Sequence, residues 1–196
     1  MSQHNTVELI GTVATDPIFV YRGKAGSYYS LQLTVNRLSS TCDKLPVYLR
    51  EEQILPFVER RQRVCVTGEL RTFSRIEDEK KRLIVYCQAH RIHPTELGDA
   101  NRVCLQGSLI KMPTLRCTPF GREICDILLL VRRRAGKSEA VPIILWNALA
   151  RRAARLVSGD PLCIEGRFQS RVYEKRLPGG DCEMRTAYEV SCSGIV

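Results

Sequence analysis

No stretch of the 196 residues stays apolar for the ~18 positions that a bilayer-spanning helix needs, so no such helix is expected. The opening Met1-Ser2-Gln3-His4-Asn5 lacks a basic and apolar leader, so the protein is expected to stay where it is made, in the cytoplasm. Histidine is scarce, at His4, His90 and His93, and no two cysteines stand as CxxC or CxxxC, so the usual zinc patterns are missing. P-loop, GxGxxG and HExxH motifs are lacking, carboxylates are scattered, and no Ser/His/Asp set is readable. Neither an enzyme nor a cofactor is expected. Gly179-Gly180 follows a proline and precedes a strand, and reads as a hairpin tip. The nine cysteines are odd in number, and Cys65 and Cys163 sit within apolar strand patterns. They read as small buried hydrophobes of a reducing compartment rather than as bridges.

What the chain does have is a repeat. Asn5-Thr6-Val7-Glu8-Leu9-Ile10-Gly11 with Pro17 returns as Asn101-Arg102-Val103-Cys104-Leu105-Gln106-Gly107 with Pro113, shifted by 96. Pro46-Val47-Tyr48-Leu49 returns as Pro142-Ile143-Ile144-Leu145, and Val64-Cys65-Val66-Thr67-Gly68 as Leu162-Cys163-Ile164-Glu165-Gly166 at a shift of 98. A unit of half the chain is too long for a solenoid repeat of ~20–50 residues. It implies two copies of one small domain, residues 1–96 and 100–196, joined by the short Thr95-Glu96-Leu97-Gly98-Asp99-Ala100 stretch.

Within each copy the apolar period is mostly two, as in Val7, Leu9, Gly11, Val13 and in Leu31, Leu33, Val35, which marks half-buried strands. Turn signals bound them at Arg22-Gly23-Lys24-Ala25-Gly26, Thr118-Pro119-Phe120-Gly121 and Leu177-Pro178-Gly179-Gly180-Asp181. One segment per copy breaks the period. Asn147 to Val157 is rich in helix formers, with Leu149, Ala153, Leu156 and Val157 as an apolar stripe, ended by Ser158-Gly159-Asp160-Pro161. Glu51-Glu52 starts the matching helix, which Pro56 keeps short or kinked. Three strands, a short helix and two strands is the order of the OB-fold, so the expected fold is all-β: two tandem five-stranded Greek-key barrels.

The net charge of +9 divides as 14 basic against 11 acidic residues in 1–98 and 16 against 10 in 99–196, which favours a polyanionic partner. Copy 2 interleaves cations and rings: Trp146 ends its third strand, then come Arg167-Phe168-Gln169-Ser170-Arg171-Val172-Tyr173-Glu174-Lys175-Arg176, Arg185 and Tyr188. Alternation puts Arg167, Gln169, Arg171 and Tyr173 on one face, opposite Phe168, which reads as core. Such a face suits single-stranded nucleic acid, where cations follow phosphates and rings stack on unpaired bases. A second basic cluster runs through Arg132-Arg133-Arg134 with Lys137. Trp146, the only tryptophan, matches Arg50 in copy 1, and a position that accepts Arg is expected to be exposed.

In order, Asn101–Gln106-Gly107, Pro113, Arg116-Cys117-Thr118-Pro119-Phe120-Gly121, Leu129-Leu130-Val131-Arg132-Arg133, Ile144-Leu145-Trp146-Asn147-Ala148-Leu149-Ala150, Ile164–Tyr173 and Arg185–Val190 resemble the bacterial single-stranded DNA-binding protein family over nearly all of copy 2. The resemblance implies non-catalytic, largely sequence-independent binding of single-stranded DNA in replication, recombination and repair, in the bacterial cytoplasm with the nucleoid. It implies base stacking on Trp146 and Tyr173 and phosphate contacts from Arg116, Arg133, Arg171 and Lys175. The full candidate set adds Arg122, Arg132, Arg167 and Arg185, and in copy 1 Arg37, Arg50, Arg71, Phe73 and Arg75. Copy 1 is more diverged: it lacks the Thr-Pro-Phe-Gly turn, has Arg75 where copy 2 has Tyr173, and is expected to assemble or to bind less strongly, with Tyr28, Tyr29 and Phe73 as compensating rings. Ser138-Glu139-Ala140 supplies none of the family's further aromatics, and the family's acidic tail is not seen before Val196, which puts recruitment by that route in doubt. The family generally assembles four barrels, so a homodimer is expected. Alternative readings are a primosomal or mobile-element accessory protein, a protein–protein interaction module, or an RNA-binding protein.

Overall fold

The computed structural model describes residues 5–54, 58–77, 80–133, 136–176 and 180–196. In the first half the strands are β1 (Asn5–Val13), β2 (Ile18–Gly23), β3 (Gly26–Asn36), β4 (Cys42–Arg50), β5 (Arg63–Glu77) and β6 (Lys80–Pro94), with a 3-10 turn at Glu51–Gln53. The second half repeats them as β7 (Ala100–Leu109), β8 (Thr114–Cys117), β9 (Glu123–Arg132), β10 (Ser138–Trp146), β11 (Pro161–Arg176) and β12 (Cys182–Ile195), with helix α1 at Asn147–Ala153 after β10.

Each half closes a barrel. β1 pairs antiparallel with β5 and, at Thr12 and Val13, with β3, while β4 and β6 close the other side in parallel. β7, β9, β10, β11 and β12 do the same. These are tandem OB-fold barrels. The first strand of each is broken in two: β1 and β2, and likewise β7 and β8, flank a bend that contains Pro17 or Pro113, where a ladder donor is lost. β1 can pass from β5 to β3 only because position 11 is glycine; a Cβ there would lie 2.3 Å from the Thr34 carbonyl oxygen, and one at Gly107 2.2 Å from that of Leu130. Asn5 holds Leu70 through both amide atoms, at 2.8 Å each, and Asn101 holds Phe168 in the same way at 2.6 and 2.8 Å.

The two barrels share one sheet through β1 and β7. Val7 pairs with Val103, its own repeat equivalent, and around them Asn5 meets Leu105 while Leu9 meets Asn101. A position of one barrel thus meets a second position of the other, and the second meets the first in return, the pattern of a two-fold interface, here within one chain. The connecting segment is pinned: Asp99 pairs with Arg63 at 2.7 Å and accepts the Asn36 N–H at 2.7 Å.

Two expectations change. Cys65 is buried but lies outside the barrel core, and Cys163 is half-exposed, because their neighbours Val64, Val66, Leu162 and Ile164 take the inward positions. The helix ends at Ala153 rather than near Val157: the Asp160 carboxylate accepts the Val157 N–H at 2.9 Å and turns the chain, leaving Val157 exposed. Pro56, Arg134 and Leu177-Pro178-Gly179 lie outside the described residues.

Candidate nucleic-acid interface

The outer face of the second barrel is built by register. On β11 and β12, Arg167 lies opposite Ser191, Gln169 opposite Glu189, Arg171 opposite Ala187 and Tyr173 opposite Arg185, so these side chains share one face. From Arg167 to Tyr173 it runs about 20 Å. Trp146 caps the end beside Arg167, its indole N–H donating to the Ser191 hydroxyl at 3.3 Å. Asn147, in the left-handed conformation at φ 50°, turns the chain from β10 into α1 directly after the indole. At the other end the Arg171 guanidinium lies 5.5 Å from the centre of the Tyr173 ring, a cation–π contact. Between them Gln169 and Arg171 both donate to Glu189, at 2.9 and 3.3 Å. Trp146 and Tyr173 are half-buried and Arg171 is exposed, whereas Gln169 and Arg185 are buried within the face. Burial and the nearby Arg37 guanidinium hold the Arg167 pKa below the usual arginine value. Phe168 is fully buried, as expected, and Tyr188 packs on the opposite side against it.

The first barrel presents the same face with other residues. On β5 and β6, Glu69 lies opposite Gln88, Arg71 opposite Tyr86, Phe73 opposite Ile84 and Arg75 opposite Arg82. Arg50 lies opposite Tyr28 and Tyr48 opposite Ser30 on the neighbouring β3–β4 pair. Tyr21 stacks on Tyr28 with ring centres 4.7 Å apart, and Tyr48, Phe73 and Tyr86 form a second cluster with centres 4.1 to 6.5 Å apart. Burial, with the neighbouring Tyr21 and Glu139, pushes the Tyr86 pKa up to about 12. Tyr21, Tyr48 and Tyr86 were not singled out by the sequence reading as face residues. For Tyr48 and Tyr86 the signal is the phase of alternation, since Val47, Leu49, Val85 and Cys87 beside them are fully buried and force them outward, whereas Tyr21 lies on β2, where its neighbours are exposed and no such phase exists. Tyr29 instead meets Phe19 edge-on, away from this cluster.

Arg37 and Arg133 stand elsewhere than on a solvated phosphate track. Each pairs with a carboxylate six residues on, Arg37 with Asp43 and Arg133 with Glu139, and both carboxylates are 1% exposed. The carboxylates reach across to the other barrel: Asp43 accepts the Ser170 N–H at 2.8 Å, and Glu139 accepts the Thr72 N–H and hydroxyl at 2.7 Å. Ser170 and Thr72 are repeat equivalents, so this is a reciprocal lock between barrels. Arg71 lies between Glu69 and Glu139. Arg116 pairs with Asp126 at 2.5 Å on the β8–β9 hairpin, and Arg122, Arg132 and Arg75 are exposed. Lys175 is half-exposed further along β11, and Arg185 pairs with Glu183 at 2.6 Å. No helix is long and apolar enough to cross a membrane among the described residues.

Comparison with known proteins agrees with this topology. Residues 100–195 match the family model described as single-strand binding protein family. The single-stranded DNA-binding protein of Clostridium tetani is 40% identical over 83 residues, covering 39% of this chain and 57% of that protein. This chain thus spans little more than half of that relative's length. The single-stranded DNA-binding protein of Thermus aquaticus is 29% identical over 84% of this chain and 74% of its own length. The crystal structure of the wild-type Thermus aquaticus protein superposes with a TM-score of 0.76 at 26% identity, covering 98% of this chain and 91% of that one. The second half thus carries the sequence pattern of the single-strand binding protein family, and the first half repeats its fold.

Proposed function

We propose that this protein binds single-stranded DNA, largely without sequence preference and without catalysing a reaction, in replication, recombination or repair in the bacterial cytoplasm. The observation that carries this reading is the second barrel's outer face. There an indole and a phenol end a strip whose register also holds Arg167 and Arg171. Rings at both ends and cations between them match a flexible strand, whose bases unstack onto aromatics at ~1–3 kcal/mol each while phosphates meet guanidinium groups. A duplex keeps its bases paired and would use only the charge.

In this reading Trp146 and Tyr173 are base platforms, Arg167, Arg171 and Lys175 contact phosphates, and Arg116, Arg122, Arg132 and Arg185 flank the path. On the first barrel Arg50, Arg71, Phe73 and Arg75 play the corresponding parts, while Arg37 and Arg133 act mainly by fixing the barrels to each other. Two barrels per chain support a homodimer with four; sedimentation of a clean monomer under DNA-binding conditions would reject it. The binding itself is tested by competition. Labelled oligothymidylate bound to the intact chain is challenged with unlabelled single-stranded and double-stranded DNA at two salt concentrations. The single strand should displace it far better, and affinity should fall steeply with salt. Equal competition by duplex would refute the reading.

A further inference from the structure

The first barrel's rings lie beside a groove that the second barrel helps to build. A cavity of about 340 Å³ opens on this face, walled by Tyr21, Tyr28 and Tyr86 and by Arg50, Arg71 and Arg133. Five of these belong to the first barrel; Arg133 enters from the second. Its position is set by the lock, because Glu139, which binds it, is itself anchored on Thr72 of β5. The ring walls are pre-organised, with Tyr21 and Tyr28 nearly parallel at 12° and Tyr21 43% exposed, so a flat ligand can extend an existing stack. Two of the three guanidinium groups are already held by carboxylates, Arg71 by Glu69 and Glu139 and Arg133 by Glu139, so Arg50 is the cation the groove offers to a phosphate. Arg50 pairs with Glu52 at 3.0 Å with both side chains well exposed, an ion pair that a phosphate can displace at little cost. The second barrel lacks these ring walls: Ile124, Glu189 and Arg116 hold the positions of Tyr28, Tyr86 and Tyr21 in the strand pairing.

Resting on the reading that the chain binds single-stranded DNA, we infer that this junction groove is a second nucleotide site. It takes an unpaired base on the Tyr21–Tyr28 stack and the adjoining phosphate on Arg50, with the Glu139-held Arg133 closing the wall from the second barrel. The first barrel is then a ring-dense binding surface in its own right, and its site is incomplete without the other half of the chain. Base and phosphate are gripped together, which a solvated charge cluster cannot do.

The test uses the full chain and two lengths of oligothymidylate, one of about 8 nucleotides, enough for one barrel, and one several times longer. Trp146 emission reports the second barrel, and photocrosslinking with bromodeoxyuridine-substituted strand reports the groove. In the Tyr21→Ala/Tyr28→Ala variant, quenching by the short strand should be unchanged, while affinity for the long strand should fall about tenfold. Crosslinks in the wild-type chain should map to Tyr21, Tyr28 or Tyr86. Arg50→Ala, which leaves both rings in place, should lower long-strand affinity less and keep those crosslinks. Long-strand affinity within twofold of wild type in the double variant, or crosslinks confined to the second half, would overturn the groove while leaving the general reading intact. Absence of Trp146 quenching with any strand, together with absence of crosslinks, would instead remove the binding reading and the groove with it.

Discussion

The two barrels agree in their frames and exchange roles on their faces. Gly11 and Gly107, Asn5 and Asn101, Asp43 and Glu139 stand in equivalent places and make the same contacts. On the outer surface, however, four positions trade a ring for a cation. By strand pairing, Tyr21 corresponds to Arg116, Arg50 to Trp146, Phe73 to Arg171 and Arg75 to Tyr173. Frame positions are held by steric fit and buried polar bonds, which tolerate little change. Face positions need only the mixture of flat rings and positive charge, and that mixture survives a shuffle of its order. The proposed ligand, a flexible strand, asks only for that mixture, because every base has a π-face and every linkage a phosphate.

The comparison is sharpest where a change strikes the frame. Asp43→Ala and Glu139→Ala each strand an arginine and an N–H of the other barrel. Each should cost about 3 kcal/mol in denaturant unfolding, discounted because both guanidinium groups keep some solvent. A large inequality between the two would break the reciprocity. Gly11→Ala and Gly107→Ala push a methyl group into a carbonyl oxygen in both halves, and should each lose about 2 kcal/mol. Face substitutions should separate from these: Phe73→Ala with Arg75→Ala, or Arg171→Ala with Tyr173→Ala, should lower single-strand affinity about tenfold. Their unfolding midpoints should barely move. The smallest effect belongs to Asp99, which has no counterpart in the repeat. Burial works to raise its pKa, but the Asn36 N–H and Arg63 outweigh it and hold the carboxyl below its usual value. The stability it contributes is therefore complete at neutral pH and lost as pH falls below about 4. Asp99→Asn should flatten the acid limb by less than about 1 kcal/mol.

The barrels were legible because the repeat doubled every weak strand signal, and the exchange at Arg50/Trp146 and Arg75/Tyr173 was visible as soon as the copies were aligned. The first barrel's rings were harder to see. Tyr48 within Pro46-Val47-Tyr48-Leu49, and Tyr86 after Leu83-Ile84-Val85, sit in runs that look like continuous core, and only the phase set by their buried neighbours turns them outward. The lock was hidden for a different reason. Arg37 and Arg133 looked like matching members of a basic surface, but what occupies them is a carboxylate whose remaining bonds lie on the other half, 127 residues away for Asp43 and Ser170. Alternation within one strand carries no information about such a partner. The shorter α1 follows from Asp160, whose role as an N–H acceptor for Val157 depends on a turn rather than on helix propensity.

Trp146 is the chain's only indole, so its emission reports one place on one face. Titration of the intact chain with oligothymidylate at low salt should quench it in a saturable way, and the midpoint should move to higher strand concentration as salt is added. Emission that stays unchanged while the strand is demonstrably bound would contradict the assignment of the second barrel's outer face as the binding surface.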